Sequence, residues 1–403
     1  MSAETPVGEK ESPKRLFVPS LALAVFATGT AGAVLTLFLP EIANTFLGST
    51  SRAAIGVAGQ TSTVNNTAEV VLAFLMSILA VRFRHKWLLL AGAVLVAFSS
   101  LGSFLAPDFF TFQIFFAMEG AGSVMVSILA FTLIGDTLPF NKKPRAISYM
   151  SASLILSGLI GMIALYFLGN VAGWRSGFLL LGLPLSIAGL ILVSFGVQSK
   201  SHAQQTRIDK GAYVRAFKQV LLNKSAFSCL IGRMVGSASV VGLFVLTFYR
   251  QQLSLSQGWA LGIALINGGL FVIGSLVGGL LINRFGSKSV TVICGLISGV
   301  LTAAFFSMPT LWLTLAFNFA SVIIGACAIP AIICLTVDQA PKSRGTMLSI
   351  HRIVGNAGEA IGAAVGGALI ALFSFQVFGI GCGAFIVASA LIFLFLVKQP
   401  TET

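Results

Sequence analysis

The strongest constraint in this sequence is a series of apolar runs, each long enough to cross a membrane. A helix that spans the hydrocarbon core of a bilayer needs about 20 mostly apolar residues. Twelve such runs, joined by short connections, take up nearly all 403 residues. They fall at residues 16–40, 54–81, 87–106, 110–135, 146–169, 177–197, 226–249, 259–282, 289–308, 311–336, 346–372 and 376–397. The sequence therefore predicts an all-α membrane protein with twelve transmembrane helices.

The composition excludes several classes of soluble protein. Hydrophobic residues make up 56% of the chain and charged residues only 9%, whereas soluble proteins carry about 25% charged residues. The net charge is +13, but the basic residues form short clusters between apolar runs, so we expect no nucleic-acid partner. The five cysteines lie inside apolar runs without metal-site spacing. Nucleotide-binding, metalloprotease and serine-hydrolase motifs are absent from the sequence, so we expect neither a cofactor nor enzymatic activity.

The basic residues predict how the chain is oriented in the membrane. Twenty of the 25 Lys and Arg fall in alternate connections and in the two terminal segments. Three others, Arg52, Arg175 and Arg250, fall in the opposite set of connections, and Arg233 and Arg352 lie within apolar runs. Cytoplasmic loops of membrane proteins carry an excess of Lys and Arg. We therefore expect a multi-pass protein of the cytoplasmic (plasma) membrane with both termini in the cytoplasm.

Two short motifs recur at the same offset and indicate an internal repeat. Arg82–Lys86 and Arg284–Lys288 both read R-F-x-x-K, and the second copy follows the first by 202 residues. Asp136 and Asp338 each open a D-x-x-P sequence, again 202 residues apart. Matching motifs at matching positions predict two homologous six-helix halves.

The repeat predicts the organisation of the whole chain. A long basic segment separates the two halves, and its apolar residues have the spacing of a helix that lies on the bilayer surface. The predicted units are a disordered cytoplasmic tail at 1–15, a six-helix bundle at 16–197, a cytoplasmic linker at 198–225, a second six-helix bundle at 226–397 and a cytoplasmic tail at 398–403.

A loop motif in the second half resembles that of a known transporter family. Gly279–Lys288 matches the pattern G-x-x-x-D-R-x-G-x-[RK] of the major facilitator superfamily, with Asn283 in the Asp position. Arg82 and Lys86 remain from a degraded first-half copy. The chain resembles this superfamily over nearly its whole length. The resemblance implies two halves that rock about a midplane site, with spans one, four, seven and ten lining the cavity.

Two further sequences resemble the drug-efflux-like branch of that superfamily. They are Leu39–Ile42 after the first span and Trp174–Arg175 before the sixth. The branch implies proton-coupled antiport of small organic compounds. The superfamily also implies that spans two and eleven, and five and eight, pack against each other across the two halves.

Small residues recur at four-residue intervals in three spans and predict close helix packing. Two interpretations are open: the spans pack across the moving interface between the halves, or they pack statically. The residues are Gly358, Gly362 and Gly366 in span eleven, Ser153, Ser157 and Gly161 in span five, and Gly274 and Gly278 in span eight.

Three acidic residues lie within apolar runs, where an uncompensated charge is costly. They are Glu69 in span two, Glu119 in span four and Glu359 in span eleven. Charged residues at such depth normally face a cavity or a partner. We predict these three as candidates for proton coupling, and Glu119 in particular because the family implies that span four lines the cavity. One alternative is a buried, neutral, hydrogen-bonded structural acid at each position. For Glu119, another is that it pairs with a cationic substrate.

The same spans supply candidates for the substrate cavity. Polar or aromatic side chains on spans four and seven are the predicted wall, and Arg233 has the alternative of reaching back to the membrane surface. His351 is a further candidate for a proton relay, with a packed histidine as the alternative. The predicted cavity residues are Arg233, Ser123, Ser237, Phe115 and Phe244.

Span eleven carries a polar stripe. Arg352, Asn356 and Glu359 are separated by four and three residues, so they share one helix face. We predict that this stripe faces the polar stripe of span two, near Glu69, at the contact between the halves. In the alternative, Arg352 reaches the inner surface and Glu359 is buried alone.

The repeated loop motifs also suggest conformational latches near the basic connections. An acid at a span end and the basic residues of the neighbouring loop are expected to pair within each half. The latch candidates are Asp136 with Arg82 and Lys86, and Asp338 with Asn283, Arg284 and Lys288.

These features predict a secondary transporter. We expect a monomer in the lipid bilayer that exports a small, amphipathic organic compound in exchange for protons. One alternative is an importer or facilitator of a small organic anion, with Arg233 and Arg352 as its clamps. Another is a membrane scaffold or sensor that no longer transports.

Overall fold

The computed structural model describes residues 15–139, 142–198, 222–340 and 344–398, and their regular structure is helical throughout. The predicted N-terminal tail, apart from its last residue, lies outside the described residues. So do the predicted surface helix of the linker and nearly all of the C-terminal tail.

Twelve helices of membrane-spanning length follow one another through the described residues, which confirms the predicted all-α fold. We number them α1 to α12 in chain order. Their bounds are Phe17–Leu47, Arg52–Arg82, His85–Leu105, Phe109–Thr137, Lys143–Ala172, Gly177–Gly196, Lys224–Gln251, Gln257–Phe285, Ser287–Phe305, Leu311–Asp338, Arg344–Leu372 and Phe375–Leu396.

Eleven of the twelve helices are apolar enough to cross a membrane by length and composition alone, and α2 is the exception. At 31 residues α2 is long enough, since it extends over about 46 Å. Its polar residues, among them Gln60, Asn65 and Asn66, lower its hydropathy. The helix packs on α4 on one side and on α11 on another, so protein rather than lipid covers much of its polar surface.

Three helices depart from regular α geometry. α1 is interrupted at Gly29, where a Cβ would collide with the side chain of Ser157 in α5. α7 is interrupted between Ser237 and Val241. α6 begins with a π-helical turn at Gly177–Gly182. The interruptions in α1 and α7 lie at corresponding positions of the two halves, and both line the central cavity described below.

Helices α1–α6 and α7–α12 form two bundles that meet along a defined set of contacts. The most extensive contact in the molecule joins α2 of the first half to α11 of the second. Smaller contacts join α1 to α7 and α5 to α8. The helix ends that border the basic connections lie at one end of the bundle, which we call the basic end. The loops α1–α2, α3–α4, α5–α6, α7–α8, α9–α10 and α11–α12 lie at the other, the opposite end.

The small-residue ladders pack inside each half, which corrects the interpretation that they form the moving interface. A Cβ at Gly358 or Gly362 would collide with backbone carbonyls of Met234 and Ala238 in α7. Gly274 and Gly278 in the same way approach the backbone of α10, and Gly161 faces α1. Small residues specify a close approach of two backbones but not which helix approaches. These ladders therefore belong to static helix packing within each half, which is the second of the two interpretations.

The loops of the first half are fixed by polar contacts at the opposite end. The indole Nε1 of Trp174 donates to Thr45 Oγ1 at 3.0 Å, and Arg175 Nη1 donates to two backbone carbonyls of the α3–α4 loop region at 2.8 Å each. Asp108 caps α4 by accepting from the N–H of Thr111 at 2.9 Å. The N–H and hydroxyl of Thr111 lower the pKa of Asp108, so this cap stays ionised at neutral pH.

Candidate functional site

A cavity of about 480 Å³ lies between the two halves. It is lined from the first half by α1, α2 and α4, and from the second half by α7 and α11. Four charged side chains reach it: Glu69, Glu119, Arg233 and Glu359. Its uncharged polar lining consists of Thr28, Thr36, Ser62, Asn65, Asn66, Ser123, Ser237 and Ser239.

Glu119 forms the deepest acidic group on the wall of the first half, with 5% of its surface exposed. Asn65 of α2 donates through Nδ2 to Glu119 Oε2 at 2.7 Å and to the backbone carbonyl of Phe116 at 2.8 Å. The other carboxyl oxygen, Oε1, is buried and has no hydrogen-bond partner among the described residues. One oxygen of this buried acid is therefore available to a proton or a ligand.

Glu69 connects the two halves. Ser123 of α4 donates to its Oε1 at 3.0 Å, and Asn356 of α11 donates to its Oε2 at 2.5 Å. The predicted polar stripe of α11 thus lies against the polar stripe of α2. The hydrogen bond from Asn356 crosses from one half to the other near the middle of both helices, beside the cavity.

Arg233 and Glu359 bring opposite charges to the wall of the second half. The guanidinium of Arg233 lies against α11, where a Cβ on Gly355 would come 2.9 Å from Nη2. Its Nε is buried without a partner in the part of the chain that the structure describes. Arg233 and Arg352 both act electrostatically on Glu359, and Arg352 also acts on Glu69.

The charges are unevenly compensated. Glu69 and Glu359 both lie in the field of Arg352, whereas the charged neighbour that acts on Glu119 is another acid, Glu69. Two acids that share a low-dielectric site are difficult to ionise together. Glu119 therefore has no compensating positive charge among the groups that act on it in the described residues.

A family model described as the major facilitator superfamily matches residues 21–274 and 252–403. The chain belongs to the major facilitator superfamily. It is therefore a multi-pass membrane protein and a secondary transporter, not an enzyme.

Two curated relatives cover nearly the whole chain. The uncharacterised MFS-type transporter YwfA of Bacillus subtilis (strain 168) is 21% identical over 394 residues, which are 95% of this chain and 92% of YwfA. The inner membrane transport protein YdhP of Escherichia coli (strain K12) is 24% identical over 402 residues, 95% of this chain and 97% of YdhP. Among solved structures, a D-xylose-proton symporter superposes with a TM-score of 0.77 at 17% identity, covering 96% of this chain and 98% of the symporter.

In this superfamily member the cavity is lined by all three proton-coupling candidates and by three of the five predicted substrate-cavity residues, Arg233, Ser123 and Ser237, but the two predicted aromatic residues lie elsewhere. Phe115 packs on Gly102 and lies 5.8 Å from the ring of Phe98, both in α3. Phe244 is fully buried, 5.2 Å from the ring of Phe378 in α12. Successive residues point about 100° apart around a helix, so Phe116 reaches the cavity in place of Phe115.

His351 lies buried in α11, with 6% of its surface exposed. It is outside the lining of the cavity, and its Nδ1 has no hydrogen-bond partner among the residues described. Arg233 is its charged neighbour. His351 is thus packed inside the protein and separate from the cavity lining.

The latch candidates of the superfamily motif lie at the basic end. Asp136 Oδ2 is 3.6 Å from Nδ1 of His85, which precedes the predicted partner Lys86. Lys86 instead donates to the backbone carbonyl of Ser194 at 2.8 Å. Asp338 forms no ion pair with a residue inside the described ranges. Of the other predicted partners, Arg82, Asn283 and Arg284 are exposed and Lys288 is half-buried.

A group of polar contacts joins the two halves at the opposite end. These contacts were not predicted from the sequence. Arg250 of α7 forms a bidentate ion pair with Glu41 of α1, with nitrogen–oxygen distances of 2.5 and 3.0 Å. Arg52 donates to the carbonyl of Phe373 at 2.6 Å, and Gln251 donates to a carbonyl of the α1–α2 loop at 2.7 Å. The sequence did contain a signal for polar contacts at this end. Arg52, Arg175 and Arg250 are the three basic residues that fall in the connections otherwise poor in Lys and Arg.

The ion pair of the opposite end can be tested by a charge swap. Arg250→Glu places two acids together and should shift the molecule away from the closed opposite end, whereas adding Glu41→Arg should restore it. The pair is partly exposed, so its own contribution is at most about 1 kcal/mol, or about 5-fold in population. The distance distribution between spin labels at Asn44 and Gln252 measures the shift. A double variant no closer to wild type than the single variant would contradict the assignment.

Proposed function

We propose that this transporter exports a small, amphipathic organic compound from the cytoplasm in exchange for protons, as the drug-efflux-like branch does. Its basic end would face the cytoplasm of a plasma membrane and carry both termini, with the segment at 198–225 as the linker between halves. The observation that carries the proposal is the buried carboxyl of Glu119, which lines the cavity, has one oxygen unbonded among described residues and has an acid as its charged neighbour.

Alternating access follows from where the halves touch. The ion pair of Arg250 with Glu41 and the hydrogen bond from Arg52 join the halves at the opposite end. At the basic end, Lys86 donates to the backbone carbonyl of Ser194 in its own half. The structure thus represents the state that is closed at the opposite end, and rocking about the α2–α11 contact would produce the other state.

Protonation would couple to this motion through Glu69. The ionised carboxylate accepts one hydrogen bond from Ser123 in its own half and one from Asn356 in the other half. A proton on Oε2 would make that oxygen a donor and a weaker acceptor, and the hydrogen bond from Asn356 would weaken. Because proton uptake then weakens the link between the halves, protonation and the position of the halves are thermodynamically coupled.

The anion-importer alternative has one favourable observation, the unpartnered Nε of Arg233. The second proposed clamp, Arg352, does not line the cavity and acts on Glu69 and Glu359 instead. With three carboxyls facing the cavity, an anion without a positive group would meet net repulsion if these acids are ionised. Export of an amphipathic compound that carries a positive group fits this wall better.

Flux in proteoliposomes tests the proposal. An antiporter accumulates its substrate in the more acidic compartment, because protons leave that compartment as substrate enters. We expect a panel of radiolabelled amphipathic amines and amino acids to contain compounds that accumulate there, and a protonophore to abolish the accumulation. Liposomes without protein are the control, since weak bases enter acidic vesicles unaided.

Each other outcome excludes the proposal in a different way. Accumulation in the more alkaline compartment would mean symport. Counterflow that does not respond to the pH gradient would mean a facilitator. Absence of both, with the purified protein folded, would favour the scaffold interpretation.

A further inference from the structure

The two walls of the cavity present unsatisfied groups of opposite charge. On the first-half wall, Glu119 Oε1 is buried and has no hydrogen-bond partner among the described residues. On the second-half wall, the same is true of Arg233 Nε. Both residues line the same cavity of about 480 Å³. A buried polar group without a partner costs free energy, so each group is suited to a ligand that supplies one.

Apolar side chains lie between these charged groups. Leu35 from α1, Phe116 from α4 and Leu243 from α7 contribute to the same lining. A ligand that reaches from one wall to the other must therefore carry charged ends and also cover an apolar surface. The cavity volume admits a compound the size of an amino acid or a somewhat larger one.

We infer that the transported compound is a small zwitterion with an apolar body, whose cationic group binds Glu119 and whose anionic group binds Arg233. The inference rests on the proposed function and names its substrate class. A compound of one charge would satisfy one wall and leave the other buried group without a partner. A zwitterion satisfies both, and because Glu119 belongs to the first half and Arg233 to the second, it also bridges the two halves.

The exchange with protons follows from the same geometry. The cationic group of the substrate and a proton compete for the one free oxygen of Glu119. The charged neighbour that acts on Glu119 is Glu69 from α2, and the other charged groups that line the same cavity are Glu359 from α11 and Arg233 from α7. No further acid is needed on the first-half wall, because substrate and proton occupy the same carboxyl in alternate steps.

Matched compounds with one body and different charges test this inference. The probes are phenylalanine, 2-phenylethylamine and 3-phenylpropionate, and a second set is leucine, 3-methylbutylamine and 4-methylpentanoate. Thermal stabilisation of the purified, full-length protein gives a dissociation constant for each compound. We expect the zwitterion to bind about 10- to 100-fold more tightly than either partner, the effect of one charge-assisted hydrogen bond.

Two variants assign the charged groups. Arg233→Gln should remove the preference for the zwitterion over the amine, and Glu119→Gln should remove its preference over the acid. Each preference is the ratio of two dissociation constants measured on the same variant, so a general loss of stability does not change it. Lys224→Gln removes a basic charge at the exposed start of α7 and should leave both ratios unchanged.

The outcomes separate this inference from the proposed function. Equal binding of the amine and the zwitterion, tighter binding of the acid, or binding of none of the six compounds would overturn the zwitterion assignment. Proton-driven accumulation of the amine alone would overturn the zwitterion assignment but support the proposed proton antiport. Tight zwitterion binding with counterflow that ignores the pH gradient would sustain the substrate class and exclude proton exchange.

Discussion

Glu119→Gln is expected to abolish flux driven by a pH gradient while substrate counterflow continues at saturating substrate. The amide has the shape of the acid and keeps an oxygen that accepts a hydrogen bond, but it cannot bind and release a proton. Asn65, which donates to Oε2 at 2.7 Å, can keep that hydrogen bond to the amide oxygen. The measurements are the initial rate of proton-driven accumulation and the rate of counterflow in the same proteoliposomes.

Asp108→Asn is the matched control, since it makes the same acid-to-amide change outside the cavity and Asn is a good helix cap. It should transport as wild type does. Proton-driven flux that persists in Glu119→Gln would refute its role as the proton carrier. Loss of counterflow as well, at every substrate concentration, would mean that the variant no longer folds or binds substrate, and would not support a role of Glu119 as the proton carrier.

Gly56→Ala should strongly reduce transport, because α2 and α11 touch at this residue. A Cβ at Gly56 would collide with the carbonyl oxygen of Gly367 and come 2.8 Å from the Cβ of Ala371. Overpacking of a tight contact costs about 1–3 kcal/mol, equivalent to about a 5- to 150-fold change in population. The strain falls on the state with a closed opposite end, so that state should be depleted and the flux should fall accordingly.

Gly262→Ala makes the same substitution in α8, where the added Cβ would meet nothing within 4 Å. It should retain wild-type flux. Spin labels at Asn44 and Gln252 would show whether Gly56→Ala separates the halves at the opposite end. Wild-type flux and an unchanged label distance in Gly56→Ala would mean that closure does not require this contact.

The helices could be predicted because each one must by itself be long and apolar enough to cross the bilayer. The twelve apolar runs of the sequence correspond to the twelve helices, and eleven of these helices are apolar enough to span a membrane by length and composition alone. α2 was predicted from an apolar run that polar residues interrupt. Burial in the membrane also made Glu69, Glu119, Arg233 and Glu359 conspicuous, and all four line the same cavity.

Pairings between helices could not be predicted in the same way. Phe115 and Phe116 are neighbours in sequence, and only the rotation of α4 about its axis decides which one reaches the cavity. Gly358 and Gly362 indicate a close approach, but nothing local to α11 distinguishes α7 from α2 as the partner. The ion pair of Glu41 with Arg250 joins residues 209 positions apart, and no spacing rule connects them.

The polar contacts that close the opposite end differ in how they can change during evolution. Arg52, Gln60 and Gln251 each donate to a backbone carbonyl of the other half. Every residue type supplies that carbonyl, so substitutions of the accepting residues, two in loops and one in α11, leave the acceptor atoms of these three contacts in place. The pair of Glu41 with Arg250 needs two specific side chains. Co-variation among relatives is therefore expected at Glu41 and Arg250, whereas the carbonyl contacts require only that the donor be retained, and the accepting half is free to diverge.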